Sequence, residues 1–179
     1  MLIEYKGMRP NLGKEVFLAP GVVLLGDIQI GNHSNIWFYT VARADVNYIR
    51  IGSQTNIQDH CALHVTSDKF PLIVGNEVVV GHRAVLHGST IHDRALIGIG
   101  ALVLDGSIVE EGAIVAAGAV VTPGSVIPAN KVAVGIPARP VRDCTEAERE
   151  FHSSNIIKYS EYGRRFSDLT KIIEQKKLG

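Results

Sequence analysis

Three histidines could do chemistry in this chain, because they lie inside a six-residue repeat that controls where each side chain points. They are His64, His82 and His87. A neutral imidazole is a common ligand of zinc and similar divalent ions, and three such ligands with one open position are typical of a catalytic metal site. Metal chemistry here therefore depends on whether the repeat brings the three rings together.

The repeat is most regular in the second half of the chain, where every sixth residue is apolar. These positions are Ile91, Ile97, Val103, Val109, Val115, Val121, Ile127 and Ala133. The fifth residue of each hexad is small, as at Ala95 and Ala113. A helix would give a period of about 3.6 residues and a strand a period of about two, so this pattern indicates a narrow solenoid of short β-strands.

The same register runs back to the start of the chain with interruptions near Asn47 to Arg50, within Val65 to Ile73 and before Ile91, which we interpret as loops. The pattern resembles the hexapeptide-repeat proteins. This resemblance implies an all-β solenoid over residues 1–140, a left-handed parallel β-helix with three hexads in each coil.

After the repeats, Thr145 and Glu148 have the spacing of a capping box. Apolar residues, beginning with Phe151, then recur every three or four positions and predict an amphipathic C-terminal helix that is interrupted near Gly163. We assign residues 141–179 to a C-terminal helical segment that packs on the solenoid or on a neighbouring subunit.

With three hexads per coil, His64 and His87 are vertical neighbours on one face. Strands in a sheet lie about 4.8 Å apart, so two imidazoles at this separation can share one ion. His82 belongs to a different face, and it must come from another chain if it is to join the same ion. The register therefore predicts a three-fold oligomer with the metal at the interface.

Two charged residues are predicted to stack directly below the histidines, one coil earlier. Arg43 lies one coil below His64, and Asp59 lies directly below His82. Across a subunit interface these two charged side chains would form an ion pair next to the metal, where shielding from water strengthens it.

Several segments around these residues resemble the γ-class carbonic anhydrases and the related ferripyochelin-binding-like proteins. They are RAD at Arg43 to Asp45, IRIGSQTNIQD from Ile49 to Asp59, HV at His64, VVVGHRAVLHG from Val78 to Gly88, and GIPARPVR from Gly135 to Arg142. The resemblance implies a homotrimer that interconverts CO2 and bicarbonate. It also implies Zn²⁺, with Fe²⁺ or Co²⁺ as alternatives, bound by the three histidines, with His82 supplied by the adjacent subunit.

The resemblance assigns further roles to matched positions. It supports the ion pair described above and adds Asp45 to its network. Asn56 and Gln58 would line the pocket, with Gln58 orienting the attacking hydroxide. Tyr159 would cover the site from the helix, although a role in helix packing fits this aromatic residue equally well.

The proton-shuttling glutamates of that family have no counterpart here. The segment Val65 to Ile73 contains only Asp68 as an acid, and Val46, in an inward slot of its hexad, stands where the family has a second glutamate. Hydration of CO2 needs proton export as well as attack on carbon. The sequence therefore leaves both fast and slow turnover open.

Two other functions remain open. Hexapeptide solenoids often serve acyl-CoA transferases, to which a thioesterase is a related alternative, and a noncatalytic trimeric metal-binding scaffold would keep the site for structure. The 18 basic and 18 acidic residues balance, so no partnership with nucleic acid or an anionic membrane is expected. No signal peptide or bilayer-spanning run is recognisable and only two cysteines occur, which predicts a cytoplasmic protein.

Overall fold

A computed structural model of the chain describes residues 1–177 and the side chains through Phe166, so the end of the predicted helical segment lies outside the described residues. Short strands are followed by one helix. The elements are β1 (Leu2–Ile3), β2 (Asn11–Leu12), β3 (Phe17–Leu18), β4 (Val23–Ile30), β5 (Asn35–Ile36), β6 (Val41–Ile51), β7 (Asn56–Ile57), β8 (Ala62–His64), β9 (Leu72–Val74), β10 (Val79–Val80), β11 (Val85–His87), β12 (Thr90–Ile91), β13 (Leu96–Ile97), β14 (Leu102–Val103), β15 (Ile108–Val109), β16 (Ile114–Val115), β17 (Val120–Val121), β18 (Val126–Ile127), β19 (Lys131–Val134), β20 (Arg139–Asp143) and α1 (Glu146–Lys177). No helix in the described part of the chain is long and apolar enough to cross a membrane.

The strands wind into a parallel solenoid with three faces. One face is the sheet of β3, β5, β7, β10, β13, β16 and β19, with β20 added antiparallel at its end. The other two faces form one sheet, because β4 and β6 each run around the corner between them. Leu102 pairs with Val120 one coil above, as three hexads per coil require. The predicted left-handed parallel β-helix with a C-terminal helix is confirmed.

The apolar and small positions of the hexad fill the interior as the repeat predicts. Burying an aliphatic side chain contributes roughly 1.5–3 kcal/mol, so a continuous inward column holds successive coils together. Side chains of this column that are 0% exposed include Ile91, Ile97, Val103, Val109, Val115 and Val121, with Ala95 and Ala113 beside them.

The predicted loop near Asn47 to Arg50 is absent. The strand β6 continues through these positions. The extra residues form a bulge in β6, where its pairing with β4 shifts register between Gly26 and Ile28. The prediction failed because inserted residues were expected to leave the sheet, whereas a bulge keeps both flanks paired. Val46 lies in this irregular stretch and is 42% exposed, so the inward position predicted for it is wrong.

The helix α1 begins as the capping-box spacing predicts. The backbone N–H of Glu148 donates to Thr145 Oγ1 at 3.2 Å, and the N–H of Thr145 donates to Glu148 Oε2 at 2.9 Å. The interruption predicted near Gly163 is wrong, since the helix continues through it. A Cβ at this glycine would lie 3.3 Å from the Cβ atoms of Phe17 and Asn35. Gly163 is therefore a point of close approach between α1 and the solenoid.

The solenoid-facing side of α1 differs by one position from the predicted apolar stripe. Phe151 is exposed, whereas His152 and Ile156 are buried. The helix contacts β3, β5, β7 and β10, and Tyr159 meets the ring of Trp37 edge-on with centroids 5.9 Å apart. In this structure α1 thus covers one face of its own solenoid.

The buried imidazole of His152 makes this helix contact sensitive to pH. Its Nε2 lies 3.2 Å from the carbonyl oxygen of Glu77, and its Nδ1 has no partner among the described residues. Burial lowers the pKa of His152, because the charged ring would lose its hydration. Below about pH 6.5 the unfolded chain binds a proton that the folded chain does not, so stability falls by at most about 1.4 kcal/mol per pH unit.

We expect urea unfolding of the wild type to show this loss as the pH falls from about 6.5 toward 5.5. His152→Gln keeps an N–H donor without an ionising group and should lose less stability over the same interval. His92→Gln, at an exposed position on the solenoid, is the matched control and should follow the wild type. Equal pH slopes for the wild type and His152→Gln would contradict the prediction.

Candidate metal centre

His64 and His87 face each other on adjacent coils. β8 and β11 pair so that the two histidines are direct partners in the sheet. His64 Nδ1 and His87 Nε2 lie 3.0 Å apart, and the ring centroids lie 4.9 Å apart. This is the vertical placement that the register predicts.

In each ring, the outer nitrogen, which points away from the other histidine, is hydrogen-bonded to a carboxylate. His64 Nε2 donates to Asp45 Oδ1 at 3.1 Å, and His87 Nδ1 donates to Asp105 Oδ1 at 2.6 Å. Since an ionised carboxylate only accepts hydrogen bonds, each ring proton sits on the outer nitrogen and the two facing nitrogens carry lone pairs. Two lone pairs at this separation repel each other unless a cation lies between them. The donor set therefore fits a divalent ion, with carboxylates orienting its ligands from behind.

Both carboxylates are held in the ionised form. Burial acts to raise the pKa of Asp45, but hydrogen bonds from His64 and Arg43 outweigh it, and the pKa is lowered. Burial also acts to raise the pKa of Asp105, and hydrogen bonds from His87 and Thr66 again lower it overall. Asp45 and Asp105 therefore remain hydrogen-bond acceptors at neutral pH.

His82 lies in the turn between β10 and β11, at a corner of the solenoid and not on a face as predicted. Its Nδ1 donates to Asp59 Oδ2 at 2.7 Å, which leaves the lone pair of Nε2 available to a metal. Gln58 Oε1 accepts the backbone N–H of His82 at 3.2 Å. The third imidazole is thus oriented by a carboxylate in the same way as the other two.

The three histidines do not form one cluster within a single chain. Among the described residues, no three His, Cys, Asp or Glu side chains converge on a point that could hold a metal ion. The separation of His82 from the facing pair is what the register predicts. A complete set of three ligands would therefore need more than one chain.

The charged residues predicted to pair across an interface have partners within the chain. Arg43 forms an ion pair with Asp45, and Asp59 receives the proton of His82 Nδ1. The side chain of Arg43 is half exposed. A contact between Arg43 and the Asp59 of a neighbouring subunit remains a proposal.

Asn56 and Tyr159 lie where α1 covers the solenoid, on a different face from the facing histidines. Asn56 is 1% exposed, and its Nδ2 donates to Asn35 Oδ1, which also accepts Trp37 Nε1 at 2.7 Å. Burial and the negative charge of Asp59 raise the pKa of Tyr159. Tyr159 therefore lies within electrostatic reach of Asp59, whereas Asn56 belongs to a buried polar cluster under the helix.

Asp105 and Thr66 belong to the site although the motifs did not single them out. Asp105 follows His87 by 18 positions, so counting one more coil would have placed it above that histidine. Thr66 Oγ1 donates to Asp105 Oδ2 at 2.8 Å. Thr66 lies in the turn after β8, where the repeat is broken, so no regular spacing leads to it.

The chain is similar to proteins named as carbonic anhydrases. It is 49% identical over 148 residues to the probable carbonic anhydrase of Methanocaldococcus jannaschii, covering 83% of this chain and 92% of that protein. It is 44% identical over 156 residues to mitochondrial gamma carbonic anhydrase 1 of Arabidopsis thaliana, covering 84% of this chain and 57% of that protein. The chain thus spans little more than half the length of this plant relative.

One similar solved structure is named as an enzyme of a different class. The putative acetyltransferase from Bacillus cereus has a TM-score of 0.92 and 40% identity, covering 94% of this chain and 98% of that chain. No protein-family model matches the chain. Because names of two enzyme classes occur on one fold, the chemistry must be argued from the histidines and their carboxylates.

Proposed function

Since the chain belongs to the gamma carbonic anhydrase family, we propose that it interconverts CO2 and bicarbonate as a metal-dependent enzyme. The observation that carries the proposal is the pair of lone-pair nitrogens, His64 Nδ1 and His87 Nε2, turned toward each other at 3.0 Å. Imidazole ligands suit Zn²⁺, with Fe²⁺ and Co²⁺ as alternatives. His82 would complete the ligand set from a second subunit of a homotrimer.

The chain's own residues would hold and orient the reacting groups. A divalent ion held there would lower the pKa of a water molecule to about 7, so that hydroxide would be available at neutral pH to attack CO2. His64 and His87 are fixed for this role by the carboxylates behind them. Gln58 is buried and its Oε1 is taken by the backbone of His82, so its amide N–H groups remain to orient a substrate oxygen.

A homotrimer would also cover exposed apolar side chains close to these residues. On β6, Val41 is 43% exposed, Val46 is 42% exposed and Tyr48 is 37% exposed. Arg43 lies on the same strand and would reach Asp59 of the next subunit. Apolar side chains beside a charged pair are typical of the surface that a second copy of a chain covers.

The two cysteines support a cytoplasmic location as part of the proposal. Cys61 and Cys144 are both buried and unpaired. Burial raises the pKa of the Cys61 thiol to about 12. Thiols kept protonated and apart in this way are compatible with a reducing compartment.

An acyl-CoA transferase or thioesterase is the main alternative, and a noncatalytic metal-binding trimer is the other. An acyltransferase of this fold relies on a single histidine base, whose lone pair must face a substrate hydroxyl or amine. Here the lone pairs of two imidazoles face each other, and each ring is backed by a carboxylate. That arrangement favours metal chemistry over a single-base mechanism.

The test is to purify the full chain without chelators, both aerobically and anaerobically, and to measure assembly mass, metal per chain and the rate of CO2 hydration. We expect a trimer with about one metal ion per chain. Hydration should stop when a chelator removes the metal and return when Zn²⁺ or Fe²⁺ is restored. Metal-replete trimers without hydration would contradict the proposal, and hydrolysis of acetyl-CoA by those trimers would favour the thioesterase.

A further inference from the structure

We propose that Asp105, itself held by Thr66, is the positioning residue that makes His87 a metal ligand. The turn after β8 would then control how firmly the site retains its ion. This inference rests on the proposed function, because it assumes that His87 Nε2 binds metal. It assigns roles to two residues that neither the hexad pattern nor the family motifs identified.

Both oxygens of Asp105 are engaged. Oδ1 accepts His87 Nδ1 at 2.6 Å, and Oδ2 accepts Thr66 Oγ1 at 2.8 Å. A carboxylate anchored at both oxygens cannot rotate away from the ring, so the imidazole is held in one orientation and one tautomer. That tautomer has its proton on Nδ1 and its lone pair on Nε2, facing His64.

The backbone of Thr66 is held by two hydrogen bonds. Its N–H donates to the carbonyl oxygen of Phe70 at 2.9 Å, and its own carbonyl oxygen accepts Asn47 Nδ2 at 3.0 Å. Asn47 lies on β6, the strand that also carries Asp45. The hydroxyl that reaches Asp105 is therefore positioned by two separate segments of the chain.

Gly88 gives Asp105 the space to reach His87. A Cβ at Gly88 would lie 2.5 Å from Asp105 Oδ1 and 2.8 Å from the Cβ of Phe70. Its φ of +52° is also one that residues with a side chain rarely adopt. Any larger residue directly after His87 would displace either the carboxylate or the turn that holds Thr66.

Replacement of Asp105 by asparagine should reverse the tautomer of His87. The Thr66 hydroxyl donates to the oxygen of the carboxamide, which turns its NH2 group toward His87 Nδ1. Since an NH2 group only donates, the ring proton must move to Nε2, as happens when the orienting aspartate of a serine-protease triad becomes asparagine. His87 then has no lone pair to offer a metal, and affinity should fall about 10- to 100-fold.

The experiment measures the Zn²⁺ dissociation constant by competition with a chelator, and the tautomer of His87 by 15N NMR of the metal-free full chain. The variants are Asp105→Asn, Thr66→Val and Thr66→Ser. Asp93→Asn is the matched control, because Asp93 also accepts a hydrogen bond from the neighbouring coil, at 2.8 Å from the N–H of Asn76. All proteins are compared at the same pH.

We expect about 10- to 100-fold weaker Zn²⁺ binding for Asp105→Asn, with the ring proton on Nε2, and a smaller loss for Thr66→Val. Thr66→Ser restores the hydroxyl and should bind within about twofold of the wild type, as should Asp93→Asn. Unchanged affinity in Asp105→Asn, an unchanged tautomer, or an equal loss in Asp93→Asn would overturn the inference. If the wild type itself binds none of Zn²⁺, Fe²⁺ and Co²⁺, the proposed function fails, while the NMR comparison still decides whether Asp105 sets the tautomer.

Discussion

Replacing His87 by alanine is expected to abolish metal binding and to reduce CO2 hydration to the rate of the buffer. The facing pair would lose one of its two nitrogens, and His64 alone offers a single ligand from that chain. Loss of a residue that only orients a metal ligand already costs about 10- to 100-fold, so loss of the ligand itself should cost more. Metal per chain and the initial rate of hydration, followed by stopped flow with a pH indicator, measure both effects.

The matched control for this variant is His92→Ala. His92 is an exposed histidine on the same solenoid, five positions after His87. His92→Ala should keep metal and activity. Both variants should unfold at the same temperature as the metal-free wild type, because neither side chain lies in the interior column. Full hydration by a metal-free His87→Ala protein would rule out the proposed mechanism.

Much of the architecture could be predicted because the repeat expresses a geometric constraint. An interior too narrow for large side chains forces an aliphatic and a small residue to alternate, and this constraint is visible without any structure. The same count placed His64 beneath His87 and Asp59 beneath His82, and the structure has both pairs in contact. Counting one further coil of 18 residues from His87 would also have predicted Asp105 above it.

The predictions that failed concern features that do not follow the six-residue repeat. The bulge opposite Asp27 keeps inserted residues within β6, so Val46 turned outward. Gly163 lies inside α1 because Phe17 and Asn35 approach it, a tertiary contact that helix propensity does not contain. Thr66 reaches Asp105 from a turn, and turns obey local geometry and not the hexad.

Chains carrying His82→Ala and chains carrying His87→Ala should each be inactive, yet regain about one quarter of wild-type hydration when unfolded together in equal amounts and reassembled. In the proposed trimer, a shared site would take His82 from one chain and the facing pair from the next chain of the ring. In a random mixture, each interface joins an intact His82 to an intact His87 with a probability of about one quarter. The recovered activity therefore reports directly that the ligands come from two chains.

A mixture of His64→Ala and His87→Ala chains is the control. Both residues lie on the same side of the shared site, 3.0 Å apart at their facing nitrogens, so every interface in this mixture lacks one of them. No activity should return, although the two proteins assemble in the same way. The mixture of His82→Ala with His64→Ala should again recover about one quarter, because those residues would meet across the proposed interface. Failure of both His82 mixtures, with intact trimers, would place all three ligands within one chain. Recovery in the control mixture would instead show that His64 and His87 serve different sites.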